Sequence, residues 1–377
     1  MNKPFLMAGL LLAASAATAH DWHPGEDPGR AAGLGRAASP AEAALLAEAA
    51  ERSSPAASVL PPARAGSGDT AAPQGLAMEA SFRVFAPAVR VRRDERYLHV
   101  ESEGLPAHNM MVGITAWQQQ VPLPQAYTGA NAWRLPLQPV PSANPVSIRD
   151  RFLRGAIALA ANGIPIFNPQ NNRGEISQQI GELDEWGGHC GRADDYHYHA
   201  APLHLQEQLG PDRPIAIALD GYPIYGLTEP GGGNPTGLDA FRGHETPGLG
   251  YHYHASREYP YVNGGFHGQV VEQGGQVDPQ PRASSVRQAQ PPLRGARITQ
   301  FKAAPDHRSF SLDYQVNGRP AAIRYSTQGD GHWLFRFTGP DGIVREETYR
   351  AGERRGGPGR AGGPPPQGGR RPRPRPE

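Results

Sequence analysis

The sequence predicts a mainly β protein: an internally duplicated, histidine-rich domain with pseudo-twofold hairpin repeats, followed by a small C-terminal β unit. Short apolar or alternating runs separated by Gly, Pro, Asn and Asp fill the middle of the chain. Long amphipathic helical periodicity is absent there, and two blocks of sequence occur twice.

From the N-terminus, Lys3 supplies positive charge, residues 5–16 are apolar, and Ala17-Thr18-Ala19 is a small-residue cleavage site. Residues 1–19 are therefore expected to be a signal peptide, with a mature chain starting at His20 and a periplasmic or secreted location. No later run reaches the roughly 18 to 20 apolar residues that a spanning helix needs, so no transmembrane segment is expected. Residues 20–79, rich in Ala, Pro, Gly and Ser, read as a disordered linker with one helix-like stretch at 40–52, introduced by Ser39 as N-cap. The histidine-rich domain is expected over 80–270, with repeats at 156–200 and 215–256, and a polar, proline-containing linker over 271–293. The β unit is expected over 294–350, with strands near 297–301, 309–316, 321–325, 332–337 and 344–349 and turns at Asn317-Gly318 and Asp341-Gly342. Residues 351–377 read as a disordered basic Gly/Pro/Arg tail.

Composition narrows the function. A formal net charge of +1 gives no broad field for nucleic acid, and no nucleic-acid partner is expected. Cys190 is the only cysteine, which rules out an intramolecular disulfide. No glycine-rich phosphate loop follows a strand and opens a helix, so no nucleotide site is assigned.

The duplication is the main signal. Leu183-Asp184, Gly188-His189 and Tyr196-His197-Tyr198-His199-Ala200 recur 55 positions on as Leu238-Asp239, Gly243-His244 and Tyr251-His252-Tyr253-His254-Ala255. Upstream, Asn162-Gly163-Ile164-Pro165-Ile166-Phe167 recurs 58 positions on as Asp220-Gly221-Tyr222-Pro223-Ile224-Tyr225. Asn-Gly and Asp-Gly suit a type I′ turn, so each copy is expected to open with a tight hairpin. Each Tyr-His-Tyr-His segment reads as a strand, which sends its histidines to one face and its tyrosines to the other.

Two histidines at i and i+2 on a strand can meet at one ion, and His189 and His244, eight positions before His197 and His252, would each complete a set of three. The predicted metal ligands are thus His189, His197 and His199 in one copy and His244, His252 and His254 in the other. The expected cofactor is a transition metal ion, copper or zinc by ligand type, in one shared or two separate sites. Asp184, Asp194, Asp195, Asp239 and Glu245 lie nearby as ligands, as hydrogen-bonding partners of the imidazoles or, for Asp184 and Asp195, as a general base. Cys190 is matched by Glu245 in the second copy, and a thiolate ligand would favour copper or zinc. Imidazole ligation predicts weaker binding below about pH 6.5.

Weaker candidates are His20 with His23 as an N-terminal chelate, His108 reaching the site from a loop, and His204 and His267 beside the repeats. The competing reading is a cell-surface module that binds a polysaccharide or envelope protein, with structural histidines and with Trp117, Trp133 and Trp186 in the core or on a binding face. Under the metal reading the protein either stores or handles the ion or is a metal-dependent enzyme that uses it as a Lewis acid, as a source of hydroxide or, with copper, for redox chemistry.

The paired Tyr-His-Tyr-His blocks, each preceded by Gly-His, with Asp220 to Gly226 between them and Gly104-Leu105-Pro106-Ala107-His108 upstream, resemble the YHYH domain family of exported bacterial proteins. The resemblance spans about residues 80–266 and implies domain identity and export, without naming catalytic residues.

Overall fold

Runs in which every residue is apolar end up where both faces are covered, and here they form the middle of the largest sheet. The computed structural model describes residues 73–351. The expected signal peptide, His20, His23, the helix-like stretch 40–52 and all but one residue of the basic tail lie outside the described residues.

Helix α1 (Pro73–Arg83) crosses the boundary expected at residues 79 and 80 and buries Met78 and Phe82. Strands β1 (Arg90–Arg93), β2 (Tyr97–Glu101) and β3 (Trp133–Pro136) form a three-stranded sheet. Strand β4 (Pro141–Ser147) pairs with the later β13 (Gly265–Gly268). Between them come β5 (Ala156–Ala160), β6 (Pro165–Phe167), β7 (Gly188–Cys190) and β8 (Tyr196–Tyr198), then the short helix α2 (Leu205–Leu209). Next follow β9 (Ala216–Ala218), β10 (Pro223–Tyr225), β11 (Gly243–Thr246) and β12 (Gly250–His254).

These last eight strands make one sheet in the order β11-β12-β10-β9-β5-β6-β8-β7. Its central pair, β5 against β9, is antiparallel and fully buried. On one side β6 runs parallel to β8, and on the other β10 runs parallel to β12. Each edge is an antiparallel hairpin that carries histidines, β7/β8 and β11/β12.

The hairpins β5/β6 and β9/β10 are tight, as expected, but the turn differs. The Ala160 N–H bonds the Ile164 carbonyl, and Ala218 bonds Tyr222 in the same way, closing three-residue loops. Only Gly163 (φ 77°) and Gly221 (φ 95°) take the left-handed conformation. A type I′ turn needs positive φ at both residues of a two-residue loop, whereas a loop one residue longer needs it only at its last residue, which is the glycine in both hairpins.

The segment expected as a linker at 271–293 is mostly exposed but is tied down at a few points. It holds the two-stranded β14 (Glu272–Gln273) and β15 (Gln276–Val277), and Gln280 accepts the Ala156 N–H. Arg287 is buried against Asp194 at 2.8 Å. Beyond it β16 (Ala296–Ala303), β17 (Ser309–Val316), β18 (Arg319–Gly329), β19 (His332–Thr338) and β20 (Val344–Arg350) form an antiparallel meander. Its apolar face, including Phe310, Leu312, Tyr325 and Phe335, is buried. Backbone bonds join Ile298 to Gly113 and Ile114, and the Tyr325 hydroxyl donates to the Pro122 carbonyl at 2.7 Å.

Candidate metal centres

In each edge hairpin two histidines stand directly across from one another: His189 opposite His197, and His244 opposite His252. Side chains so paired project from the same face, and the residue two positions further along joins them. His199 and His254 take that place. The ring centroids of His189, His197 and His199 are 4.9 Å apart in all three pairings. Those of His244, His252 and His254 are 4.6, 5.2 and 5.0 Å apart. The six histidines thus form two separate groups at opposite edges of the sheet, and each group could hold a metal ion.

The tautomers are set by the backbone. Nδ1 of His197 faces the Asp195 carbonyl, His199 that of Asn168, His244 that of Thr236, His252 that of Gly250 and His254 that of Gly226, at 2.5–3.3 Å. A carbonyl can only accept, so in these five rings Nδ1 carries the proton and each neutral ring turns a bare Nε2 lone pair inward. His189 and His197 both place Nε2 3.1 Å from Nε2 of His199, and His244 and His252 are also 3.1 Å apart. Two nitrogens at about 2.0–2.1 Å from a tetrahedral ion would lie roughly 3.3 Å apart.

Burial reinforces neutrality. It lowers His189 well below the usual imidazole range, His199 to about 3 and His254 to about 4, and it lowers His252 as well. His254 Nε2 is buried without a hydrogen-bond partner.

The second group contains a carboxylate that the sequence did not single out. Glu229 reaches His244 Nε2 at 3.0 Å and the Nε2 atoms of His252 and His254 at 3.4 Å. It lies in a Glu-Pro-Gly-Gly-Gly loop with no histidine beside it; the one available clue was its offset of 58 residues from Asn171.

Several expected neighbours lie elsewhere. Asp184 and Asp239 bond tyrosines rather than histidines: Tyr196 donates to Asp184 at 2.8 Å and Tyr251 to Asp239 at 2.7 Å. Each acid also accepts the N–H of Gly188 or Gly243 at the start of the histidine strand. Asp184 is therefore not a base at the metal group. Asp195 sits behind His197, 3.6 Å from Nδ1, on the side away from the converging nitrogens. Asp194 pairs with Arg287, and Glu245 is exposed on the face opposite His244. Cys190 follows His189 on its strand and so faces the other way, buried, with its N–H against Met111 Sδ.

The tyrosine face is a separate polar layer. Tyr198 is bonded by Asn162 at 3.0 Å and His108 at 2.6 Å, while Tyr253 donates to Asp220 at 2.6 Å and accepts the His267 N–H. His108 thus stays on this face, stacked on Trp186 beside His204. His267 stacks on Tyr251 with centroids 3.7 Å apart. Trp117 and Trp133 are buried and cannot offer a face to a sugar ring.

Residues 132–231 match the model of the YHYH protein family. The matched region covers the whole first histidine group and ends before His244, His252 and His254. No curated protein and no solved structure matches the chain.

Proposed function

We propose that this YHYH chain is a metal-binding protein with two centres, one held by His189, His197 and His199 and the other by His244, His252, His254 and Glu229. One observation carries the reading: bare Nε2 atoms 3.1 Å apart, with Nδ1 committed to a backbone acceptor in five of the six rings. Lone pairs in that arrangement repel unless a cation lies between them. The donors are nitrogen and oxygen without a thiolate, a set that zinc and copper both accept.

The centres descend, in this reading, from one duplicated hairpin unit related by a pseudo-twofold axis between β5 and β9. The support is positional: residues 58 apart perform matched tasks, as with the carbonyls of Asn168 and Gly226 behind His199 and His254. The leader-like residues 1–19 support a periplasmic or secreted location. With an ion bound at an open position, the protein would have the means for Lewis-acid chemistry.

Elemental analysis of the purified full chain tests the proposal. Two equivalents of a transition metal are expected, falling to one in His197→Ala/His199→Ala and to one in His252→Ala/His254→Ala. A folded chain that takes up neither zinc nor copper refutes it.

A further inference from the structure

The two histidine groups are not chemically equivalent. In the second, Glu229 supplies a fourth donor within reach of all three imidazoles. In the first, no fourth His, Cys, Asp or Glu joins the trio among the described residues.

The reason is a single exchanged residue. Asn168 and Gly226, 58 positions apart, hold His199 and His254 through their carbonyls. Three residues after each come Asn171 and Glu229. Asn171 is fully engaged elsewhere: its Oδ1 accepts the N–H groups of Arg173 and Glu175, and its Nδ2 donates to Glu175 and Glu182. Glu182 does not replace the missing carboxylate, because Arg173, Ser177 and Asn171 bind it.

The first trio also has a wall on one side. Phe167 stacks on His197 with centroids 3.9 Å apart, which covers one side with hydrocarbon. His199 and His197 are buried and His189 is part-buried.

We propose that the first centre keeps an exchangeable coordination position for water or a small anion, whereas Glu229 closes the second centre and makes it structural. This rests on the metal reading above. Three protein ligands with one open position is the arrangement that lets an ion polarise a bound molecule, and four protein ligands is the arrangement that holds a fold.

Cobalt(II) in the full-length chain, with azide as the small anion, distinguishes the two centres. The visible bands of cobalt report a change from four to five ligands or an exchange of one donor. With two equivalents bound to the unsubstituted chain, saturating azide is expected to shift the spectrum of half the cobalt. His252→Ala/His254→Ala, which keeps the first centre, should respond fully. His197→Ala/His199→Ala, which keeps the second, should not respond until Glu229→Ala is added.

Cobalt that binds at both centres but ignores azide, or responds at both with Glu229 present, overturns the inference and leaves the metal reading intact. Cobalt confined to the second centre also overturns it. A folded chain that binds neither cobalt, zinc nor copper overturns both. If the double variants fail to fold, Glu229→Ala alone serves: it should raise the azide-responsive share of the cobalt from half to all, and a share that stays at half overturns the inference.

Discussion

Gly188 and Gly243 show how tightly single residues are specified around the histidines. Neither has a positive φ; each is glycine because a tyrosine from the partner strand lies over it. A Cβ on Gly188 would sit 2.4 Å from the Tyr196 hydroxyl oxygen, and one on Gly243 would sit 2.1 Å from that of Tyr251. The Tyr196 hydroxyl is fixed by buried Asp184, so it cannot swing aside without stranding that acceptor, whereas Asp239, which holds the Tyr251 hydroxyl, is exposed. Gly188→Ala is therefore expected to cost about 1–3 kcal/mol, the usual range for overpacking. Urea unfolding would measure it, and an unchanged midpoint would show that the tyrosine has room to move. The six histidines were legible because a strand's period of two and a repeated block both act over short sequence distances. The same period should have excluded Cys190, which directly follows His189. Glu229 was not legible because its loop meets the trio only after folding.

At the scale of elements, residues 271–293 were expected to be a linker, yet one ion pair fastens them. Arg287 donates to Asp194 and to the Gln119 carbonyl, and its guanidinium carbon lies 4.8 Å over the Phe335 ring. Asp194 in turn accepts the Val121 N–H. Three segments distant in sequence thus meet at one guanidinium: the loop before Tyr196, the stretch around residue 120, and β19. Sequence reading found the five C-terminal strands from their alternation and turns, but a long-range ion pair leaves no local pattern. Removing one partner of a buried pair strands the other charge, so Arg287→Ala is expected to lose about 3–5 kcal/mol. Burial already raises the Asp194 carboxyl, so the variant should recover part of the loss under acid conditions that protonate it. Equilibrium unfolding at neutral and acid pH checks both statements, and a loss below about 1 kcal/mol would mean that Arg287 is not a fastening point.

For the whole molecule, the buried histidines make acid the main threat to the fold. His199 and His254 ionise near 3 and 4 in the native state, His108 and His204 both near 4, and an unfolded imidazole near 6.5. Between those limits the unfolded chain binds more protons, so stability falls as pH drops from about 6.5 toward 4. Asp184 and Asp220 oppose this trend. Burial raises both to about 6, so the native state holds protons there that the unfolded chain releases, and their contribution is lost as pH rises through that value. Histidine prevails by number, because His189 and His252 are lowered as well. The metal-free chain is therefore expected to melt at progressively lower temperature from pH 6.5 to pH 4. Zinc at about 100 times its dissociation constant should add about 2.7 kcal/mol at pH 7 for each occupied centre. That increment should shrink on acidification, since protons and the ion compete for the same Nε2 lone pairs. Melting curves with and without zinc at several pH values measure both slopes. A zinc increment that stayed constant from pH 7 to pH 4 would place the ion on ligands other than these imidazoles.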